Sequence, residues 1–407
     1  MKDTSYHRKK QNILEMLLFI VAFSIPISLA FNSISLAVLF LYSFLFFNDN
    51  RFLSSFKHKE IFIYYLLFFG FQVISLSYTD NFTLGIEIIK QNIVFLILPI
   101  TFINLTNQIN QRGLKVAFFG LLFSTLLTVL FSFGNLINKA ITTDVVLSEF
   151  FRESFLKNGL YNIHAPYLAM LLVFTLIATS YSSLHNNSKQ NALYKSIIIG
   201  ILTVSLVLLT GMMSLSILCL FVFVLFLNSK ISIIYKGVLL FIVPMIIYFS
   251  FNYIKNFDTI NHVRGSEHVV YRVQKILNSK DTVRISNWKS VSKVIAANPL
   301  LGVGVDGGLE KLQQERNVLS EPYINKHNAH NDYLEILLRY GIIGLVLYLG
   351  ILYKLFVRYF QNRNTVFLWF ILVFMISGLT ESYLQRQIGL TFFTFYSLLF
   401  YTFKDSK

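Results

Sequence analysis

Residues 329–350 read AHNDYLEILLRYGIIGLVLYLG, where a short polar head leads into a long apolar run. The run predicts a membrane helix over about 333–357, because roughly 20 apolar residues are needed to span a bilayer. A titratable residue at the mouth of such a helix is costly to keep there and usually marks a functional site. A continuous helix would place five residues on one stripe: His330, Leu334, Leu337, Gly341 and Gly344. The two glycines would then let another helix approach closely beneath the histidine.

The composition indicates an integral membrane protein. Of the 407 residues, 55% are hydrophobic and 14% are charged, and the mean hydropathy is +0.60, whereas soluble domains carry about 25% charged residues. The single cysteine, Cys219, excludes a disulfide within the chain and a cysteine-based metal site. The net charge of +15 comes mostly from basic residues that flank apolar runs. It therefore indicates membrane orientation and anionic lipid head groups rather than nucleic acid.

Apolar runs along the chain predict an all-α polytopic membrane protein with about 12 transmembrane helices. The runs are 12–30, 33–47, 61–78, 88–105, 114–133, 160–180, 196–210, 213–228, 237–254, 333–357, 365–380 and 387–403. The stretch 196–228 is divided at Thr210-Gly211 because one helix of that length would overshoot the bilayer. The first run is interpreted as a retained span, since no clear cleavage site follows it. Spans one to nine thus occupy 1–254, a long periplasmic loop 255–332, and spans ten to twelve 333–407.

Basic residues predict that both termini are cytoplasmic. The connections on that side are rich in lysine and arginine, as in the cluster Lys354, Arg358 and Arg363, which is the distribution that the positive-inside rule describes. An odd number of spans would place this cluster outside. The loop 255–332 is far longer than most connections, and we expect it to be ordered, with helix-like character from Thr282 to Ala297 and a glycine-rich turn over 302–308.

Three sequence patterns occur together between residues 282 and 350. They are Arg284 with Trp288, then NPLLGVG at 298–304, then His330-Asn331 followed after nine residues by Gly341 and after two more by Gly344. In this combination the segment resembles the O-antigen ligase/O-antigen polymerase superfamily of membrane glycosyltransferases. Elsewhere the resemblance is mainly in hydropathy and span number, with weaker similarities at His164 and at Thr380 to Leu384, which Arg386 follows.

The resemblance implies transfer of a glycan from an undecaprenyl-diphosphate carrier to a hydroxyl of lipid A-core or of another glycan, at the periplasmic face of the bacterial inner membrane. His330 would be the general base, because imidazole titrates near working pH. Arg284 would bind the diphosphate, because guanidinium pairs with phosphate oxygens. The weaker candidates are Arg264, Arg272 and Arg386 for the diphosphate, and Asn331, Gly341, Gly344, Trp288 and His164 for support.

Several alternatives to these roles stay open. Arg264, Arg272 and Arg386, like Arg316, are more simply explained as surface charges. No cofactor or metal is expected, because the chain has no Asp-x-Asp pair and no His-Glu-x-x-His motif, and a sugar diphosphate already carries a good leaving group.

The turn 210–214 reads TGMMS, whereas many superfamily members carry a Ser-Arg pair there. Another arginine could substitute, the donor could bind differently, or activity could be weakened. Ligase and polymerase differ in acceptor and are not separated by the pattern. A secondary transporter is the alternative from another class, but the spans' centres are almost free of the charges that ion-coupled transporters need. A polytopic scaffold without activity is the third alternative.

Overall fold

The structure, a computed structural model, is helical throughout the residues it describes. These residues are 2–46, 60–106, 108–142, 163–182, 189–209, 211–229 and 282–403. The chain divides into two units, the first made of Met1–Thr128, Ala178–Ser183 and Val283–Lys407, and the second of Val129–Ile177 and Leu184–Thr282. The all-α class is therefore confirmed for the described part of the chain.

The helices follow the apolar runs of the sequence closely. In chain order they are α1 Lys2–Ser24, α2 Leu29–Ser43, α3 Ile61–Ile74, α4 Phe82–Asn92, α5 Val94–Asn104, α6 Gln111–Thr142, α7 Ala165–Tyr181, α8 Lys189–Leu208, α9 Met212–Asn228, α10 Thr282–Ala297, α11 Leu309–Gln314, α12 Glu321–Ile324, α13 Asp332–Asn362, α14 Thr365–Ser377 and α15 Gln387–Thr402. Short 3₁₀ segments lie at Phe44–Phe46, Ser75–Tyr78 and Tyr383–Gln385.

Six of the described segments are long and apolar enough to cross a membrane. They are Leu29–Phe46, Ile61–Tyr78, Phe82–Asn104, Gln111–Asn135, Gln190–Leu208 and Asp332–Asn362. Three shorter apolar helices are α7, α9 and α14. A polytopic membrane protein is thus supported, and the predicted run 237–254 lies outside the described residues. The predicted division of 196–228 is confirmed, because α8 ends at Leu208 and α9 begins at Met212.

Polar side chains at several helix starts satisfy backbone N–H groups that have no partner within the helix. Ser28 caps α2, Asn81 caps α4, Asn331 caps α13 and Asn364 caps α14, each through a side-chain oxygen that accepts a backbone N–H. Such caps matter in an apolar surrounding, where an unpaired backbone group is costly.

Basic side chains near the ends of several helices in the first unit contact neighbouring helices. Arg112, at the start of α6, pairs with Glu15 of α1 at 3.0 Å. Lys354, late in α13, pairs with Glu60 before α3. Arg358 donates to the carbonyl of Phe403 just after α15. His330 precedes the other end of α13.

The second unit contains the turn where the superfamily arginine is missing. There Gly211 begins α9 and lies against α7, where a Cβ on this glycine would come within 2.7 Å of the Cβ of Ala169. The absence of a side chain at 211 thus permits close packing of these two helices.

Candidate active site

His330 lies just before the membrane helix and is not part of it. α13 begins at Asp332, and the side chain of Asn331 caps it by accepting the N–H groups of Tyr333 and Leu334 at 2.9 and 3.0 Å. His330 itself has φ +47°, in the left-handed region. The predicted stripe that includes the histidine is therefore wrong, because the helix begins only at Asp332, after the capping asparagine.

The imidazole of His330 contacts a carboxylate from the connection between the last two helices. His330 Nδ1 lies 3.1 Å from Glu381 Oε1, and the two side chains are 26% and 9% exposed. A carboxylate only accepts, so Nδ1 is the protonated nitrogen in this contact. The neutral imidazole then presents Nε2 as its proton acceptor.

The connection that carries Glu381 also holds the start of α13. The N–H of Asn331 donates to Ser382 Oγ at 3.1 Å, and its side-chain amide donates to the carbonyl of Leu379 at 2.9 Å. The N–H of Asp332 donates to the carbonyl of Gly378 at 2.8 Å. Because these bonds fix residues on both sides of Glu381, they also fix the carboxylate beside the histidine. The weak similarity at 380–384 therefore belongs to the site.

Three successive carbonyls before His330 are each held by a different side chain. The carbonyl of His327 accepts from Arg316 Nη2 at 2.6 Å. That of Asn328 accepts from Asn287 Nδ2 at 2.8 Å. That of Ala329 accepts from Trp288 Nε1 at 2.8 Å. We call these three donors the carbonyl clamp.

The clamp fixes the turn that holds His330 in its left-handed conformation. In this clamp Trp288 holds the carbonyl of Ala329. The clamp also corrects the interpretation of Arg316. That arginine is 6% exposed and also bonds Asn287 Oδ1 at 2.6 Å, so it is a buried structural cation. Burial lowers the pKa of Arg316, and the nearby Glu335 opposes that effect.

A buried ion pair on α13 also holds the turn that precedes His330. Glu335 accepts the N–H of Ala329 at 2.8 Å and pairs with Arg339 Nε at 2.7 Å, four residues on. Arg339 also donates to the carbonyl of Val305. Both charges are thus committed to fixed partners, which links the glycine-rich turn to the residue before His330.

α13 is broken at Gly341. This glycine has φ +59° and ψ −161°, which is not helical, and a Cβ there would lie 2.2 Å from the carbonyl oxygen of Leu300. The turn 298–302 occupies the break. Its carbonyls at Pro299 and Leu300 accept from the N–H groups of Ile342 and Ile343 at 2.9 and 3.4 Å.

The two residues that follow the turn 298–302 make the reciprocal hydrogen bonds to α13. Those of Val303 and Gly304 donate to the carbonyls of Leu338 and Arg339 at 2.8 and 3.0 Å. The backbone groups released by the break are thus paired with the turn, as an apolar surrounding requires. Gly341 therefore admits a loop, and the prediction that the glycines admit another helix is wrong at this position. Gly344 is close to its own chain, because a Cβ there would meet that of Tyr340 at 2.2 Å.

The glycine-rich turn that follows is ordered, as predicted, and is anchored to the connection just before α4. Positive φ angles occur at Gly302, Gly304, Gly307 and Gly308. Asp306 accepts the N–H of Asn81 at 2.9 Å and donates its own N–H to Thr79 Oγ1 at 3.2 Å. Arg339 fills the space that a side chain at Gly307 would need.

Two of the four arginines predicted to bind the diphosphate lie within the described residues. Arg284 is exposed on α10, one turn before Trp288. Burial raises the pKa of Tyr383, and the charge of Arg284 is a weaker influence that lowers it, so the guanidinium lies within electrostatic range of the connection that carries Glu381. Arg386 is exposed at the start of α15. The remaining two predicted residues, Arg264 and Arg272, lie outside the described residues.

His164 precedes α7 and is half-buried. The structure also adds residues to the site that the sequence did not single out: Glu381, Asn287 and Arg316. The signal for Glu381 was its place in TESYL after an apolar span, and that for Asn287 was its place beside Trp288.

The fold and the site define a polytopic membrane protein with a histidine–carboxylate pair beside the start of a broken helix. A family model described as O-antigen ligase matches residues 193–349, which include the carbonyl clamp, His330 and Gly341. The resemblance to the O-antigen ligase and O-antigen polymerase superfamily is thereby confirmed. Members of this family are glycosyltransferase-like enzymes, and the match together with the apolar helices indicates a multi-pass protein of the bacterial inner membrane. No curated protein matches the chain.

Proposed function

We propose that this protein is an O-antigen ligase-type glycosyltransferase that moves a glycan from undecaprenyl diphosphate to a hydroxyl of lipid A-core at the periplasmic face. The observation that carries the proposal is the contact of His330 Nδ1 with Glu381 at 3.1 Å. This contact orients Nε2 as a proton acceptor, and the 26% exposure of the imidazole leaves it accessible. Both termini would then be cytoplasmic, with 255–332 as the periplasmic loop.

The reaction would be a single displacement. The acceptor oxygen forms a bond to the anomeric carbon of the donor glycan while the bond from that carbon to the diphosphate oxygen breaks. His330 Nε2 takes the hydroxyl proton, and Glu381 stabilises the imidazolium that results. The leaving diphosphate keeps the electron pair of the broken bond.

Arg284 would stabilise the departing diphosphate. Its exposure and its position one turn before Trp288, which holds the carbonyl of the residue before His330, support this role. A diphosphate carries more negative charge than one arginine neutralises, so a second cation is expected, and Arg264, Arg272 and Arg386 are the candidates. No arginine stands in the turn between α8 and α9.

The charge pattern of α13 argues against a transporter. Glu335 and Arg339 are 1% and 8% exposed and bind each other and the backbone. A transport pathway requires charged groups that change partners, whereas these two brace a fixed turn.

Deletion of the protein and analysis of carrier-linked glycans tests the acceptor. Accumulation of full-length chains on the carrier supports the ligase, whereas accumulation of single repeats would assign the protein as a polymerase of the same superfamily. Unchanged carrier-linked glycans would contradict both.

The variant His330→Ala tests the base. It should insert normally and abolish transfer, because alanine has no group that can take the proton of the acceptor hydroxyl. Transfer at the wild-type rate by this variant would remove His330 as the base.

A further inference from the structure

A second histidine stands beside His330, and neither the sequence patterns nor the proposed reaction gives it a role. The rings of His327 and His330 have centroids 5.0 Å apart and are nearly perpendicular, at 87°. His327 is half-buried beside the proposed base.

The backbone of His327 is fixed, whereas its ring is not used. Its carbonyl accepts from Arg316, and its N–H donates to the carbonyl of Pro322 at 3.1 Å. Within the described part of the chain, its ring nitrogens make no hydrogen bond. A polar ring with unused nitrogens on a firmly held backbone is suited to a ligand, because the backbone loses little conformational entropy when the ligand binds.

The other polar groups around His330 are already occupied. Glu381 is engaged by the imidazole, and the side-chain oxygen and nitrogen of Asn331 serve the helix cap and the carbonyl of Leu379. A base that deprotonates one hydroxyl of a sugar needs that sugar held at a fixed angle. Among the neighbours that the structure describes, His327 has the free capacity to do this.

The surroundings of His327 favour the neutral form of its ring. Its pKa is lowered by burial first and also by His330 and Arg316, while Glu321 and Glu381 act in the opposite direction. A neutral imidazole has one N–H donor and one nitrogen acceptor, which matches a hydroxyl, itself both donor and acceptor. It would not attract the anionic diphosphate.

We propose that His327 is a substrate-contacting residue that binds a hydroxyl of the acceptor glycan next to the hydroxyl that His330 deprotonates. This inference rests on the proposed function and assigns to that site an acceptor-binding side chain. It predicts a defect confined to the acceptor when the ring's hydrogen-bonding capacity is removed.

The test uses the full-length protein in proteoliposomes. The donor is the carrier-linked glycan extracted from cells that lack the protein, and the acceptor is lipid A-core from cells that cannot make that glycan. His327→Phe keeps a ring against His330 without its nitrogens, and His327→Gln keeps a neutral donor and acceptor. Lys326→Gln, an exposed neighbour, is the matched control.

His327→Phe should raise the KM for lipid A-core about two- to tenfold, as the loss of one hydrogen bond predicts. The KM for the donor and the pH dependence of kcat should stay as in the wild type. His327→Gln and Lys326→Gln should be close to the wild type in both KM values. A merely structural role would instead affect donor and acceptor together.

Three results would overturn the inference: an unchanged acceptor KM in His327→Phe, equal rises in both KM values, or a His327→Gln variant as impaired as His327→Phe. If His327→Phe does not accumulate, His327→Ala is assayed with added imidazole, where recovery of the acceptor KM supports the inference and no recovery refutes it. Failure of the wild-type protein to transfer to lipid A-core would instead refute the proposed function.

Discussion

The break in α13 leads to a quantitative prediction for Gly341→Ala. Four backbone hydrogen bonds join the turn 298–304 to this helix, and each contributes about 0.5–1.5 kcal/mol. If the new side chain expels the turn, the straightened helix regains two bonds, from the N–H groups of Ile342 and Ile343. The net loss is then two bonds, or about 1–3 kcal/mol.

If the turn stays in place, the loss of stability is no smaller. An alanine at φ +59° and ψ −161° occupies a conformation that is essentially restricted to glycine, at about 1–3 kcal/mol. Its Cβ would also lie 2.2 Å from Leu300 O. Either route therefore destabilises the protein by about 1–3 kcal/mol. Expulsion of the turn also separates Val305 from Arg339. Arg339 pairs with Glu335, and Glu335 holds the residue before His330.

Thermal unfolding of the purified protein, together with a transfer assay, measures both effects. Gly341→Ala should lower Tm by about 1–4 °C and reduce transfer at least about tenfold. Gly70→Ala is the matched control, because a Cβ at this helical glycine meets nothing within 4 Å, and it should leave both quantities unchanged or raise Tm slightly. Equal Tm and transfer for the two variants would refute the account of the break.

Three further changes test individual contacts. Glu381→Gln should lower kcat about 10²- to 10⁴-fold at normal protein levels, because an amide cannot stabilise the imidazolium as a carboxylate does. A wild-type kcat would show that the 3.1 Å contact between His330 and Glu381 does not contribute to catalysis. Arg284→Lys should reduce transfer about 10- to 150-fold, since lysine lacks the planar pair of donors, and kinetics at saturating acceptor would reveal it. The lowered pKa of His327 means that the unfolded chain binds more protons below about pH 6.5. The free energy of unfolding should therefore fall as the pH drops from about 6.5 towards the folded-state pKa, and His327→Gln should remove that part of the pH dependence.

The sequence by itself determined the helices and much of the loop. Apolar runs set the spans because a helix in lipid must be about 20 apolar residues long. The predicted helix from Thr282 to Ala297 is α10, with the same bounds. The glycine-rich turn is ordered because positive φ angles at 302–308 are accessible to glycine. These are local properties, which neighbouring residues decide.

The tertiary structure decided the site. Glu381 is 51 residues from His330, and the clamp donors Asn287 and Trp288 are each 41 residues from the carbonyls they hold. A local sequence pattern cannot predict contacts between residues that are so far apart along the chain. The break at Gly341 was invisible for the same reason. The helical pattern continues through it, and only the turn 298–302, which replaces the lost helical bonds, makes the interruption stable in an apolar environment.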